Sequence, residues 1–231
     1  MPFKEETKKE IYEYCNNHLA DEAWYQHEFD FIANEKLRDR LVAEFRAIRF
    51  AYKLYEGIEA QDENYLFEIR CQILSYATLY EAVIDYVLYT YYSDSIEFDE
   101  MTHHTIPVKI DIPKEKREKL EKELCHNGKQ LSAFYYDRKE KEGTSIRFDS
   151  KCKTAEKLGL IHTFQNENSE QINLTEEIIT IYSYRNGIHI IAEQRKGIQY
   201  ELDLSKKAYR RMRPFIDQVK QQLTKDGKLA T

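Results

Sequence analysis

The sequence predicts a mainly α-helical protein, and three observations support this fold class. The 231 residues include only 7 Gly and 4 Pro, which disfavours an all-β chain built on tight turns. Apolar residues recur at steps of three or four over long stretches, the spacing of one helix face. Hydrophobic residues make up 42% of the chain, enough for a buried core. We therefore expect a bundle of helices.

The longest predicted helix runs from Asp62 to about Tyr92 and contains neither Gly nor Pro. Apolar residues lie on more than one side of it, a pattern typical of a central helix with several neighbours. Glu81 and Asp85 interrupt this apolar surface about one turn apart. We expect them to form hydrogen bonds in the core or to support a functional site.

The predicted domain organisation has two parts. Residues 1–60 are expected to form N-terminal helices packed on the bundle, and residues 61–231 are expected to form the main helical domain. Residues from about 95 to 150 have a different pattern, which predicts an inserted segment. Within it, apolar residues alternate over 106–112 around Pro107, which favours a short edge strand.

The inserted segment also has the pattern of a small β-hairpin. Residues 131–136 and 145–148 are the two predicted strands, separated by residues 139–143. Helix remains the alternative for the first of them.

Composition limits the classes of function. The formal net charge is −6, so the whole chain is not a basic nucleic-acid-binding protein, although a local basic patch can still hold phosphates. The cysteines are scattered and the adjacent His103 and His104 lack further ligands, so the sequence predicts neither a metal site nor a cofactor. No signal peptide or membrane span is predicted, so we expect a cytoplasmic protein without membrane contact.

A further helix is predicted near the C-terminus. Asn173 is a good N-cap and Glu176 completes a pattern similar to a capping box. We expect this helix to run to about Gln194, because Gly197 then interrupts the pattern.

This helix carries the sharpest chemical feature of the chain, the run Arg185-Asn186-Gly187-Ile188-His189. On one continuous helix, Arg185, His189 and Glu193 share a face, each about one turn from the next. Gly187 inside a helix costs about 1 kcal/mol relative to Ala, which favours close approach of another backbone or a ligand. An imidazole can transfer protons near neutral pH, and a guanidinium can stabilise charge on a phosphate. Together they suit metal-independent RNA cleavage.

The run Tyr184 to Glu193 resembles the Arg-Asn-x-Ile-His signature of the HEPN superfamily. These are helical-bundle proteins, many of them ribonucleases in toxin–antitoxin, abortive-infection and CRISPR systems. Residues 76–88 are similar to the first long helix of many members, and the resemblance covers residues 62–93 and 173–225. Family members usually have four to six residues between Arg and His, whereas this chain has three.

The resemblance implies an HEPN-like bundle and a metal-independent endoribonuclease that acts as a homodimer through the motif helix. It implies that His189 is the general acid/base and that Arg185 stabilises the transition state. Asn186 would position these groups, and Glu193 or Glu81 would support His189. It further implies a role in antiviral defence or as a toxin, with RNA as substrate and an antitoxin or other protein as partner.

A basic surface follows the motif. Ser205 is the predicted N-cap of a final helix, on which Lys206, Lys207, Arg210 and Arg211 are expected to hold RNA phosphates. The alternative is the solvated polar face of an amphipathic helix.

Other interpretations of the motif remain open. Arg185, His189 and Glu193 also suit a solvated helix face with ordinary ion pairs. A second functional hypothesis is a non-catalytic member of the same fold that binds RNA, a nucleotide or a partner protein. A third hypothesis is a helical interaction protein unrelated to RNA, with the motif face buried.

Overall fold

The fold is mainly helical, as predicted. The computed structural model describes the following parts of the chain: residues 2–123, 125–130, 134–187 and 200–229. Contacts divide the chain into two compact units, of which the first comprises Met1–Ser93 with Phe148–Thr231 and the second Asp94–Arg147.

The described elements follow one another along the chain in this order: α1 (Glu5–Asn17), α2 (Glu22–Glu28), α3 (Glu35–Gly57), α4 (Asp62–Tyr91), α5 (Ile96–Thr102), β1 (His103–Lys109), α6 (Lys114–Glu123), β2 (Cys125–His126), β3 (Lys129–Gln130), β4 (Phe134–Glu140), a 3-10 turn (Gly143–Ser145), α7 (Phe148–Lys157), β5 (Phe164–Gln165), β6 (Gln171–Ile172), α8 (Leu174–Arg185) and α9 (Leu202–Lys225). None of the helices in this described part of the chain combines the length and the apolar character that a membrane span requires.

Helix α4 is the centre of the first unit. It packs against α3, α7, α8 and α9, while α1 and α2 pack on α3. Its buried apolar side chains cover more than one side, as predicted from their spacing: Ile69, Ile73, Tyr76, Ala77, Leu79, Tyr80, Val83, Ile84, Val87 and Leu88. The central position of α4 brings acids on its different sides close to residues of several other helices.

Side-chain caps fix the start of several helices. The Asn34 side chain accepts a hydrogen bond from the Leu37 amide, and the Asn173 side chain accepts one from the Glu176 amide, both over 3.1 Å. The predicted N-cap Ser205 is wrong, because α9 begins at Leu202 and Ser205 is buried inside it. Burial of this amphipathic helix outweighs the preference of serine for a cap.

The second unit contains a two-stranded antiparallel ribbon. Strand β4 pairs with β1, with His103 opposite Glu140 and Lys109 opposite Phe134. The predicted hairpin between 131–136 and 145–148 is therefore wrong, since Phe148 begins α7. The backbone of β4 finds its partner earlier in the chain, and a long-range pairing of this kind leaves no local turn signal.

The motif helix is shorter than expected. Helix α8 ends at Arg185, and the Gly187 amide donates to the Tyr184 carbonyl over 2.9 Å, the i→i−3 bond of a tightened final turn. Asn and Gly both favour helix ends, which explains why the Asn186-Gly187 pair stops the helix. The expectation of one continuous helix to about Gln194 is thus corrected.

Candidate functional site

Arg185 occupies the last turn of α8 and contacts Glu81 on α4. Its Nη1 lies 2.5 Å from Glu81 Oε2 and donates to the Tyr182 hydroxyl over 2.8 Å. The Tyr182 hydroxyl in turn donates to Glu81 Oε1 over 2.8 Å. These bonds form a closed triangle of charge-assisted contacts, which joins two predicted site residues from distant parts of the chain.

Tyr182 holds the arginine from a second direction. The guanidinium carbon of Arg185 lies 5.0 Å from the centre of the Tyr182 ring, within the range of a cation–π contact. The ring stacks on Phe148 of α7 with centroids 4.1 Å apart. Burial and the neighbouring Glu81 raise the pKa of Tyr182 to about 12, so its hydroxyl remains a donor at neutral pH.

Asp85, one turn beyond Glu81, makes a parallel connection to α7. The Lys151 Nζ lies 2.8 Å from both carboxylate oxygens of Asp85. Burial raises the pKa of Asp85, and the Lys151 ammonium opposes that shift. The two acids of α4 therefore anchor two different helices, α8 through Glu81 and α7 through Asp85.

The arginine network is half-buried rather than enclosed. The Arg185 side chain is 31% exposed and that of Glu81 is 27% exposed. Both hydrogen bonds that the guanidinium makes to described residues use Nη1. Its Nη2 and Nε can therefore still donate to a second acceptor, such as a phosphate oxygen.

The remaining predicted site residues have different placements. Asn186 is exposed at the end of α8, and Gly187 is buried behind it. His189 and Glu193 lie outside the described residues. The structure thus brings Arg185 and Glu81 together. The joint action of Arg185 and His189 stays a prediction.

The four predicted RNA-binding residues of α9 divide into two pairs. Arg211 forms an ion pair with Glu177 of α8, and Lys207 lies 3.6 Å from the same carboxylate. These two residues therefore connect α9 to α8. Lys206 and Arg210 instead line a cavity of about 220 Å³ between α3, α4 and α9.

Two parts of this arrangement were missed by sequence reasoning. Tyr182 precedes Arg185 by three residues, a spacing that places both on one helix face and was available as a signal. Glu68 and Gln72 form a similar polar pair at i,i+4 in the apolar helix α4. Each pair also contacts a residue on another helix, Glu81 for the first and Ile48 for the second, and local sequence spacing does not indicate such contacts.

Comparisons of the chain with protein families, with curated proteins and with solved structures found no match. Within the described ranges, no group of three or more His, Cys, Asp or Glu side chains has a metal-binding arrangement. The function is therefore inferred from the chemistry of the described residues and from the motif.

Proposed function

We propose that this protein is a metal-independent endoribonuclease with an HEPN-like helical bundle, active as a homodimer in prokaryotic defence or toxin–antitoxin function. The observation that carries the proposal is the half-exposed Arg185 guanidinium, held at the end of α8 by Glu81 of α4. Helices α4, α8 and α9, which contain the segments similar to the family, pack on one another in the same unit.

The proposed reaction is cleavage of RNA by its own 2′-hydroxyl. His189 removes the proton of the 2′-hydroxyl, whose oxygen attacks the adjacent phosphorus. Arg185 stabilises the negative charge that develops on the phosphorane oxygens. The bond from phosphorus to the 5′-oxygen breaks, and an imidazolium returns a proton to that oxygen. The products are a 2′,3′-cyclic phosphate and a 5′-hydroxyl, so no water, metal or redox partner is consumed.

Glu81 and Tyr182 have a positioning role in this proposal. An unrestrained arginine loses side-chain entropy when it binds a phosphate, and the bonds through Nη1 reduce that loss. A homodimer through the motif would place two Arg185 and two His189 side chains around one RNA strand.

One observation favours the alternative, a non-catalytic member of the same fold. The Glu81 carboxylate neutralises the Arg185 charge, and an arginine in such an ion pair can serve the packing of α8 on α4 alone. The protein would then bind RNA, a nucleotide or a partner protein without turnover.

The two functions are separated by an RNA cleavage assay in EDTA. Wild-type protein is expected to cut single-stranded RNA and to leave 2′,3′-cyclic phosphate ends, while a 2′-deoxy strand stays intact. His189→Ala and Arg185→Ala should each reduce the rate by about 100-fold or more. Arg213→Ala, an exposed arginine of α9 paired with Asp217, is the matched control and should cut normally.

Equal cutting by all four proteins would show that the activity comes from a contaminant or another site. RNA binding without cleavage, unchanged in His189→Ala, would support the non-catalytic alternative. Size measurement in solution checks the homodimer, because a purely monomeric active enzyme contradicts a composite site.

A further inference from the structure

Two adjoining cavities lie between α3, α4 and the start of α9, with volumes of about 280 Å³ and 220 Å³. They share five lining residues: Tyr52, Glu56, Gln72, Ser205 and Lys206. Their combined size is in the range of small-molecule sites. Aromatic side chains line the larger cavity and cationic side chains line the smaller one, which indicates a ligand with an aromatic part and an anionic part.

The larger cavity has a buried hydrogen-bond acceptor in its wall. Glu68 is only 5% exposed, and its Oε1 accepts a hydrogen bond from Gln72 Nε2 over 2.6 Å. The same Gln72 nitrogen donates to the Ile48 carbonyl over 3.0 Å, which fixes the amide. Burial raises the pKa of Glu68, and no cation of the described residues opposes the shift. A buried carboxylate without a counter-charge is costly, so a ligand that donates hydrogen bonds would find a strong acceptor here.

The walls of this cavity combine aromatic and apolar side chains with the acids Glu56 and Glu59. Tyr52, Tyr55 and Tyr65 line it together with Ile69 and Leu202. Tyrosine faces bind flat rings by stacking, as aromatic side chains bind bases in nucleic-acid-binding proteins. The space therefore suits a planar heterocycle whose edge reaches Glu68.

The smaller cavity is basic. Arg49 is fixed there by aromatic rings, with its guanidinium carbon 3.8 Å from the Tyr209 ring centre and 5.1 Å from that of Tyr52. Lys206 and Arg210 also line it, and neither forms an ion pair with a described residue.

Glu56 also lines this cavity, where its carboxylate is paired with Lys53 over 2.5 Å. Arg49, Lys206 and Arg210 form no ion pair of their own with a described residue, so cations outnumber acids at this end of the space, which suits an anionic group such as a phosphate.

We propose that these cavities together bind a guanine nucleotide, with its phosphate among Arg49, Lys206 and Arg210 and its base edge at Glu68. An ionised carboxylate only accepts hydrogen bonds, and guanine presents two adjacent donors, N1–H and the N2 amino group. Adenine and cytosine offer an amino group beside an acceptor, and uracil offers one N–H between two carbonyls. The site is separate from Arg185 and does not depend on the proposed ribonuclease activity. Its ligand is either a free nucleotide or a guanosine within single-stranded RNA.

The test uses the full-length protein and calorimetric titration with free nucleotides. Guanosine 5′-monophosphate should bind about 10-fold or more tightly than inosine 5′-monophosphate, which lacks only the N2 amino group. Uridine 5′-monophosphate should bind more weakly still. Guanosine without its phosphate should lose affinity and should lose most of the salt dependence.

Protein variants locate the site. Glu68→Gln should weaken guanosine 5′-monophosphate binding by about 10- to 100-fold and abolish the preference over the inosine compound. Glu28→Gln, a glutamate of α2 that is similarly buried at 6% exposure, is its matched control. Arg210→Ala should weaken the binding of guanosine 5′-monophosphate but not that of guanosine. Arg213→Ala, at an exposed position, should leave the binding of both unchanged. Ala60→Trp, which adds a large ring at the cavity wall, should block all nucleotide binding.

Short single-stranded RNAs with and without a guanosine separate the two sources of the ligand. Preferential binding of the guanosine-containing strand with weak binding of free nucleotide assigns the site to RNA. The proposal is overturned if neither form binds, if the three nucleotides bind equally, or if Glu68→Gln and Ala60→Trp bind like wild type while circular dichroism shows them folded. His189→Ala should bind guanosine 5′-monophosphate normally, so loss of cleavage and loss of this site are distinguishable.

Discussion

Two glutamates on α4 differ in how their charge is compensated. Glu81 accepts hydrogen bonds from Tyr182 and contacts the Arg185 guanidinium at 2.5 Å. Glu68 is more deeply buried and accepts only the neutral Gln72 amide among the described residues. The same residue type on the same helix therefore has its charge neutralised by an arginine in one place, and in the other it has no counter-charge among the residues that the structure describes.

This difference in charge compensation predicts different roles for the two residues, a structural contact for Glu81 and a ligand contact for Glu68. When a half-buried carboxylate is paired with a cation and a hydroxyl donor, the loss of one partner is costly because the other is left uncompensated. A buried carboxylate with one neutral donor lowers stability, and a ligand that donates hydrogen bonds to it would offset that cost. Substitution of the paired acid, Glu81, is thus expected to destabilise the fold. Substitution of Glu68, which has no cationic partner among the described residues, is expected to stabilise it.

The largest expected effect is at Glu81. Glu81→Gln should lower the free energy of unfolding by about 1–3 kcal/mol, because the half-buried Arg185 charge then loses its counter-ion among the described residues. Urea unfolding followed by circular dichroism measures the change. The exposed Glu13, 3.8 Å from Lys9 on α1, is the control, and Glu13→Gln should stay within about 0.5 kcal/mol. Equal changes in the free energy of unfolding at the two positions would mean that the contact with Arg185 contributes no more to stability than an exposed ion pair.

A smaller effect is the coupling between Glu81 and Arg185. A double-mutant cycle of Glu81→Ala and Arg185→Ala should give an interaction energy of about 1 kcal/mol, since the two groups are in direct contact. The pair Glu68 and Arg185 should be additive within about 0.5 kcal/mol. A coupling near zero for the first pair would remove the positioning role assigned to Glu81.

The smallest effect has the opposite sign. Glu68→Gln should raise the free energy of unfolding by about 0.5 kcal/mol at pH 7. Burial raises the pKa of Glu68 above its ordinary value of 4.5, so the folded state binds this proton more tightly than the unfolded state. The unfolding free energy of wild type therefore falls as pH rises from about that value through the folded pKa. The advantage of Glu68→Gln should shrink on acidification, and a constant difference from pH 4 to pH 7 would contradict the uncompensated charge.

Much of the first unit was predictable because its signals are local. The α4 helix was expected from Asp62 to about Tyr92 and runs from Asp62 to Tyr91, since no Gly or Pro interrupts its apolar pattern. The cap at Asn173 was predicted from the residue types alone. The end of α8 at Arg185 was not predicted, although the Asn186-Gly187 pair contained the signal, because the spacing of Arg185 and His189 suggested a continuous helix.

The sequence by itself determined the helical class and the central place of α4, and it singled out Arg185 and His189 as the candidate reactive side chains. These follow from composition, from apolar periodicity and from the chemistry of each residue type. Only the tertiary structure decided that Glu81 pairs with Arg185, that Arg211 serves α8, and that Glu68 lines a cavity with a basic neighbour. The physical reason is that charge compensation depends on distances between helices far apart in sequence, and packing sets those distances.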